Sequence, residues 1–368
     1  MKIVLTAIKA DIGGICGHTK PSKKVLDAVE NFIKGEKGRL FIDYYIGHTG
    51  DDIHMLFTHA GNSSDMHALA WNALKEGTQV AKNEGLYAAG QDLLKDAFSG
   101  NVRGLGPGVA EMHIEERPSE SIVLFTMDKT EPGAFNYPMF LAFIDAKYCS
   151  GLLLKPTIQK GFRFTIMDVD HVEGDRIVEL VSPEDIYKIA TLLRDNNRFV
   201  IEMIHSRHSN EQVAAFSTTR LHNIAGKYVG KDDPIAVVRT QMDFPATEEI
   251  CKPFHIAHYV TGDTRGSHTM PLMPVKRNSP ASSFFCIPIV SAMGFNVKDG
   301  VLSESTDLFD DPYWDEVRKK AAQKADYMRE QAWSGAAMAS KTELSYTGHR
   351  RNPPLFGRKI HSKKQVIK

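Results

Sequence analysis

The chain has 368 residues, with 45 Lys and Arg against 45 Asp and Glu, so its formal net charge is zero with His neutral. A balanced charge argues against a dedicated nucleic-acid or membrane-surface binder, because both need a basic excess. Hydrophobic residues make up 42% of the chain, which is typical of a globular protein with a large core and not of a disordered one.

The cysteines and the apolar runs indicate a cytoplasmic protein. The four cysteines are far apart and form no CxxC pair, so we expect neither a zinc site nor a disulfide framework, and a reducing compartment fits best. The apolar run Ile3 to Ile8 is too short for a signal peptide. No stretch approaches the roughly 18 apolar residues that a transmembrane helix needs.

The first 90 residues predict a strand, a helix, two neighbouring strands and a longer helix. Gly47 to Asp52 joins the two neighbouring strands, so its carboxylates are expected at the rim of a sheet. The longer helix should be capped by Ser64 or Asp65 and closed by Gly85. In chain order the predicted elements are strand Ile3 to Ile8, helix Ser22 to Lys34, strands Leu40 to Ile46 and Ile53 to Thr58, and helix Asp65 to Leu86.

After a second helical turn near Leu93, the remaining elements mix strands and helices without regular alternation. This predicts an α+β fold with a mixed, largely antiparallel sheet. No linker stands out, so we expect one domain over residues 1–346 and a basic tail over 347–368. The predicted strands are Ile122 to Met127, Phe162 to Val169, Ile177 to Val181, Phe199 to Ile204, Val213 to Ser217 and Ile235 to Arg239, and the helices are Pro183 to Leu193 and Asp311 to Gln331.

Six aspartates recur after predicted strands or in glycine-flanked turns. Carboxylate oxygens are the ligands that Mg²⁺ prefers, and two metal ions about 4 Å apart can clamp both oxygens of a phosphoryl transfer. His18 and Gln91 could add neutral ligands. The sequence therefore predicts a site for several Mg²⁺ ions built from Asp11, Asp51, Asp52, Asp128, Asp232 and Asp233.

A third Asp pair, Asp310-Asp311 before Pro312, shows that such a pair alone proves little. It precedes the last predicted helix, where capping and the helix dipole are sufficient reasons for two acids. We therefore leave this pair out of the site.

The segment Tyr228 to Pro234 places a phenol, an amine and two carboxylates in one short stretch. By itself it is also typical of a solvated surface turn with a Lys–Asp ion pair. Asp232 and Asp233 favour the ammonium form of Lys231 and oppose its action as a nucleophile. Amine chemistry at Lys231 would therefore require bound cations, movement of the loop, or both.

Two further segments could bind phosphate. The glycine-rich stretch Gly100 to Gly108 lacks the ending of a Walker loop, and a sharp loop near the core explains it equally well. Arg265 lies between small residues in Thr264 to His268, where a guanidinium could approach a phosphate.

Together these segments resemble the fructose-1,6-bisphosphate aldolase/phosphatase family, bifunctional gluconeogenic enzymes known best from archaea and some deep-branching bacteria. The similarity runs from about residue 1 to about 346. It is carried by Lys9 to Gly13, Gly17-His18, Asp43 to Tyr45, Gly50 to Asp52, Gly85 to Leu94, Phe98 to Met112, Asp128 to Ala134, Ala225 to Pro234, Arg265 to His268 and Pro271 to Val275.

The resemblance implies a single compact layered α/β sandwich with mixed, largely antiparallel sheets, which forms a homo-octamer. It also implies a catalytic domain that carries out two reactions at one site on sugar-phosphate substrates. Dihydroxyacetone phosphate and glyceraldehyde 3-phosphate would condense through a Schiff base on Lys231, with Tyr228 as acid and base and Tyr346 as a second tyrosine. Mg²⁺-assisted hydrolysis of the 1-phosphate would then give fructose 6-phosphate, with Asp11 activating water. The implied metal ligands are Asp11, His18, Asp51, Asp52, Gln91, Asp128, Asp232 and Asp233, and the implied sugar-phosphate contacts are His18, Tyr87, Gly100, Asn101, Lys129, Gln241, Arg265 and Tyr346.

The sequence departs from the family at Phe285, where family members usually carry a substrate-contacting aspartate. A buried donor that loses its acceptor costs about 1–3 kcal/mol, which bears on recognition of the sugar hydroxyls. Two alternatives stay open, of which only the first is motivated by Phe285. One is a Mg²⁺-dependent sugar phosphatase with impaired aldolase activity, and the other is a non-catalytic sensor that binds metal and phosphate.

Overall fold

The computed structural model describes residues 1–93, 106–169, 177–196, 198–217, 219–220, 234–261, 269–283 and 287–331. Short 3-10 turns lie at Gln91–Leu93, Pro132–Phe135 and Lys252–Ile256. The described helices are α1 (Lys23–Lys34), α2 (Ser63–Asn83), α3 (Asn136–Ile144), α4 (Gly151–Leu154), α5 (Pro156–Gln159), α6 (Ile186–Leu193), α7 (Thr247–Cys251) and α8 (Pro312–Gln331).

The described strands form two large sheets and one small one. They are β1 (Lys2–Asp11), β2 (Asp43–Thr49), β3 (Asp52–His59), β4 (Gly108–Glu115), β5 (Glu120–Asp128), β6 (Phe162–Asp168), β7 (Ile177–Val181), β8 (Phe199–Ser206), β9 (Gln212–Phe216), β10 (Thr219–Arg220), β11 (Ile235–Thr240), β12 (Tyr259–Thr261), β13 (Thr269–Pro271), β14 (Met273–Pro274), β15 (Ile289–Lys298), β16 (Val301–Leu302) and β17 (Thr306–Asp307).

The first sheet has five strands in the order β10-β4-β1-β3-β2, all paired antiparallel. Its outer face packs against α1 and α2, because both helices turn an apolar stripe, including Val29 and Leu74, onto Ile8 and Phe57 of the sheet. Ser22 caps α1 by accepting a hydrogen bond from the Val25 amide.

The second sheet follows the order β14-β15-β5-β11-β9-β8-β6-β7, with β16 and β17 paired to β15. Among the described pairs only β14 with β15 is parallel. The outer face of this sheet packs against α3, α6, α7 and α8, which bury Phe143, Ile189, Ile250 and Val317 in the largest apolar cluster. β12 and β13 pair separately.

The inner faces of the two sheets pack on each other. Leu5 and Leu56 of the first sheet share one buried cluster with Leu124, Val237 and Met293 of the second. The described molecule is therefore a four-layered α/β/β/α sandwich, and the predicted compact α+β class with largely antiparallel sheets is confirmed. No described helix is both long enough and apolar enough to cross a membrane.

Most predicted elements in the described residues are present, with ends that move by a few residues. Asn62, not Ser64 or Asp65, caps α2, because its side chain accepts a hydrogen bond from the Ser64 amide at 3.1 Å. Gly85 follows the end of α2 in the left-handed region at φ 65°, as predicted. The sequence analysis did not predict β4, β15 or α3.

Candidate metal and catalytic site

The period of two along each strand brings four site residues to one place between the sheets. Leu5 and Ala7 of β1 face the second sheet, so Lys9 and Asp11 face it as well. By the same alternation Asp52 lies on the inner face of β3, four residues before Leu56. Asp128 lies on the inner face of β5, four residues after Leu124.

The strand register brings these inner-face residues to the same end of the sandwich. Asp11 is paired directly with Asp52 across β1 and β3. Asp52 is paired in turn with Thr49 across β3 and β2. Asp128 ends β5 opposite Ile289 of β15. The predicted rim of carboxylates therefore exists, although the side chains of Asp51, Asp52 and Asp128 are almost completely buried.

Gly50 gives Asp128 the space that its carboxylate occupies. Gly50 has φ 60° in the tight β2–β3 turn, and a Cβ placed on it would overlap the Asp128 carboxyl group. Its amide donates to the Ser279 carbonyl at 2.9 Å, which fixes the turn against the segment that follows β14. Asp51, the next residue, points into the same cluster.

Two groups of potential metal ligands share Asp51. One consists of Asp11, His18 and Asp51, and the other of Asp51, Asp52 and Asp128; within each group the ligand atoms lie within 4.8 Å of one another. A shared carboxylate between two sites is a suitable arrangement for neighbouring metal ions. A donor set of carboxylates with one imidazole suits a hard divalent cation.

The buried Asp128 carboxylate shows that a cation fits this site. Its Oδ2 atom is buried and makes no hydrogen bond to the described residues. A buried carboxylate oxygen that lacks a partner is costly, and a metal ion would compensate it. Burial raises the pKa of Asp128 despite the opposing Lys129 ammonium, and the neighbouring Asp51 charge raises it further.

Two buried lysines balance part of the negative charge. The Lys129 Nζ atom donates to Asp51 Oδ1 at 2.6 Å and to Asp128 Oδ1 at 2.7 Å, and Lys9 pairs with Asp52. Burial alone would raise the pKa of Asp51, but Lys129 and His18 outweigh burial and hold this pKa well below its usual value. Asp51 is therefore ionised and available as a ligand.

His18 closes the outer side of the cluster. Its Nδ1 atom lies 2.9 Å from Asp51 Oδ2 and 3.2 Å from Asp11 Oδ2, and its ring meets Tyr87 edge to face at 5.0 Å. Burial lowers the pKa of His18, but the two carboxylates outweigh it and raise the pKa to about 10. The nitrogen that donates to these carboxylates is thus placed to join them as a ligand once it is deprotonated.

The structure adds two residues that the sequence analysis missed. Asp92 accepts the Asp11 amide at 2.8 Å and the Gly106 amide at 3.2 Å, so it fixes the backbone of a candidate ligand. Gln91 starts the same 3-10 turn. Lys9 could have been found by strand parity, because it lies two residues from Asp11 and so on the same face.

Gln241 is the one described candidate that lies elsewhere. It directly follows β11, whose other end, Ile235, is paired with Thr126 near Asp128. Since a strand rises about 3.3 Å per residue, Gln241 lies on the order of 20 Å from the carboxylates, at the opposite end of the sandwich. The chain does not bring this residue to its own metal site.

The remaining candidates lie outside the described residues. They are Gly100, Asn101, Tyr228, Lys231, Asp232, Asp233, Arg265 and Tyr346, together with Phe285. The described chain resumes close to the cluster after two of these gaps. Gly106 donates to Asp92, and the Pro234 carbonyl accepts the amide of Met127, one residue before Asp128.

Comparison with known proteins identifies the family. Residues 2–356 match the family model described as fructose-1,6-bisphosphatase. A Thermus thermophilus protein named fructose-1,6-bisphosphate aldolase/phosphatase is 58% identical over 350 residues, which cover 95% of this chain and 96% of the relative. The chain belongs to the fructose-1,6-bisphosphate aldolase/phosphatase family.

More distant relatives with the same name also match this chain over nearly its whole length. Proteins of the same name from Cenarchaeum symbiosum and Methanocaldococcus jannaschii are 50% and 44% identical, over 98% and 94% of this chain and 95% and 89% of their own lengths. The resemblance stated from the motifs is therefore confirmed over nearly the whole sequence.

Proposed function

We propose that this chain catalyses both reactions of its family at one site in the cytoplasm. As a fructose-1,6-bisphosphate aldolase/phosphatase it is a lyase and a hydrolase of gluconeogenesis, and it acts on sugar phosphates. The catalytic domain is assigned to residues 1–346, with a basic tail over 347–368. The observation that carries the proposal is the pair of ligand groups sharing Asp51, beside an Asp128 Oδ2 atom that makes no hydrogen bond to any described residue.

The phosphatase reaction is assigned to the carboxylate cluster. Asp11, His18, Asp51, Asp52 and Asp128 would hold Mg²⁺, with Gln91, Asp232 and Asp233 completing the ligands. Bound Mg²⁺ would supply charge stabilisation to the phosphoryl group and the leaving oxygen. Asp11 would take a proton from the attacking water, and the Lys129 ammonium, which pairs with Asp51, would contact a phosphate oxygen.

The aldolase reaction is assigned to the segment that ends at Pro234. The Lys231 amine would attack the ketone carbon of dihydroxyacetone phosphate and release water, which gives the Schiff base. Tyr228 would then move the proton at the carbon that attacks the aldehyde of glyceraldehyde 3-phosphate, with Tyr346 nearby. The return of the chain beside Asp128 at Pro234 supports one shared site, because consecutive Cα atoms are only about 3.8 Å apart.

The position of Gln241 supports an oligomer with shared sites. A residue about 20 Å from its own carboxylates can contact substrate only at the site of another chain. We therefore propose that Gln241, with Gly100, Asn101 and Arg265, contributes to sugar-phosphate binding, and that Gln241 does so in a neighbouring copy of a homo-octamer.

Metal titration of an Asp51→Asn variant tests the phosphatase assignment. The variant removes the carboxylate common to both ligand groups, so we expect phosphate release from fructose 1,6-bisphosphate to fall by about two orders of magnitude or more. Chelation of the wild-type enzyme should abolish the activity, and Mg²⁺ should restore it. Asp310→Asn, which changes an exposed aspartate paired with Lys276, is the control. Wild-type turnover in Asp51→Asn would refute the assignment.

A further inference from the structure

Gln241 and Met242 form a strained turn at the opposite end of the sandwich from the metal site. Their φ angles are 68° and 54°, so two consecutive residues with side chains occupy the left-handed region. Such turns normally use Gly or Asn, and each residue held there costs on the order of 1 kcal/mol or more. Conformations of this kind persist only where the surrounding structure imposes them.

Arg117 contacts this turn directly. Its guanidinium donates to the Gln241 carbonyl at 3.0 Å through Nη1 and to the Thr240 carbonyl at 2.9 Å through Nη2. The same group donates to both carboxylate oxygens of Glu120, at 2.9 and 2.6 Å, so its fork has a fixed orientation. The Phe244 ring packs on its face, with 4.3 Å between the guanidinium carbon and the ring centroid.

The core of the second sheet anchors Arg117 in turn. Glu120 is completely buried and also binds Arg239, whose guanidinium lies 4.9 Å from the Phe244 ring centroid. Burial would raise the pKa of Glu120, but the two arginines outweigh it and keep this carboxyl ionised. The backbone amide of Gln241 also donates to the Pro245 carbonyl at 3.0 Å, which closes the turn.

We infer that Arg117 is a positioning residue for substrate binding, because it holds the Gln241 turn in the conformation that presents Gln241 to a sugar phosphate. This inference rests on the proposed function, which makes Gln241 a substrate contact. Arg117 touches the turn and not the substrate, so its whole effect on binding passes through Gln241.

A double-mutant cycle on Arg117 and Gln241 tests the inference. We expect Arg117→Met to raise KM for fructose 1,6-bisphosphate about tenfold while kcat stays within about twofold, because binding is lost equally in the ground and transition states. Gln241→Ala should give a similar rise. Adding Arg117→Met to Gln241→Ala should change KM no further, since the two residues act as one unit.

Two controls separate positioning from general stability. Arg207→Met removes another arginine that donates to a backbone carbonyl, Ser182, and to a glutamate, Glu184, and it should leave KM unchanged. Arg117→Lys keeps the charge beside Glu120 but cannot bridge both carbonyls, so it should raise KM even if Arg117→Met fails to fold.

Three outcomes would overturn the inference. If Gln241→Ala raises KM and folded Arg117 variants do not, Arg117 has no positioning role while the proposed function stands. If the two effects on KM multiply in the double variant, Arg117 acts by another route. If Gln241→Ala has the wild-type KM, the substrate role of Gln241 fails and Arg117 has nothing to position.

Discussion

At the scale of single residues, the sequence predicted the acidic metal ligands but not the residues that hold them in position. Asp51, Asp52 and Asp128 were predicted because they follow strands or lie in turns, and the structure brings them together. Asp92 was missed because a side-chain hydrogen bond to a distant amide depends on a partner far along the chain. Lys9 was missed although strand parity places it on the same face as Asp11. The resemblance that implied Gln241 as a substrate contact carried no information on its distance from the carboxylates.

Gly50 offers a direct test of the geometry of the carboxylates. In Gly50→Ala the new Cβ would overlap the Asp128 carboxyl group, so Asp128 must move. We expect the Mg²⁺ concentration needed for half-maximal phosphate release to rise at least about tenfold, as for loss of a residue that orients a ligand.

Gly85→Ala is the matched control for this variant. Gly85 has nearly the same backbone conformation, φ 65° against 60° for Gly50, but a Cβ on Gly85 meets no atom within 4 Å. Both variants carry the cost of a left-handed alanine, about 1 kcal/mol, and only Gly50→Ala carries the overlap. Equal Mg²⁺ requirements in the two variants would show that the position of Asp128 does not depend on Gly50.

At the scale of elements, periodicity found most of the strands that alternate or end in acids. β4 was missed although Ala110 to Glu115 alternate between apolar and polar residues, because β4 begins at Gly108, within the glycine-rich stretch that was interpreted as a loop or a phosphate site. β15 includes Gly294 and Asn296 and reads as a weak strand. α3 is nine residues long and apolar on most sides, so it has no amphipathic period to recognise.

The third Asp pair behaves as a helix start, as predicted. Asp311 accepts the Tyr313 amide at 2.8 Å, and α8 buries Trp314 and Val317 against the second sheet. Asp311→Ala should therefore destabilise the protein by about 1 kcal/mol, measured by urea unfolding, and leave phosphate release unchanged.

Asp310→Ala provides the comparison at the neighbouring position. Asp310 makes an exposed ion pair with Lys276, 60% and 51% exposed, and such a pair contributes little to stability. We expect a loss well below that of Asp311→Ala. A large loss of activity in either variant would mean that this pair belongs to the site after all.

At the scale of the whole molecule, the α+β class followed from the mixture of strands and helices, but the location of the site did not. The carboxylates converge because β1, β3 and β5 end at the same end of the sandwich with the same faces turned inward. Strand order and register determine this, and both depend on contacts between distant parts of the chain. The same topology places Gln241 at the opposite end of the sandwich from the carboxylates.

Hybrid oligomers test the sharing of sites between chains. By the proposed assignments, Asp51→Asn chains would lose metal binding and Gln241→Ala chains would lose the distant contact with substrate. If a site takes its metal ligands from one chain and Gln241 from another, a hybrid contains sites in which both are intact. Co-expressed, doubly purified hybrids should then release phosphate with the wild-type KM, unlike either parent.

A different result would contradict the sharing of active sites between chains. Hybrids whose only active sites keep the raised KM of Gln241→Ala would show that Gln241 acts within its own chain or not at all. Parent enzymes mixed after assembly, without exchange of chains, are the control.

The proposed function requires one chain to perform both an aldol condensation on Lys231 and a Mg²⁺-dependent phosphate hydrolysis. The most direct measurement is to incubate the enzyme with dihydroxyacetone phosphate, reduce with borohydride and locate the adduct by mass spectrometry, while assaying phosphate release in the same preparation. We predict an adduct on Lys231 that is lost in Lys231→Arg and retained in Lys227→Arg. Phosphate release with no adduct would leave a sugar phosphatase, and the absence of both would leave a non-catalytic binding protein.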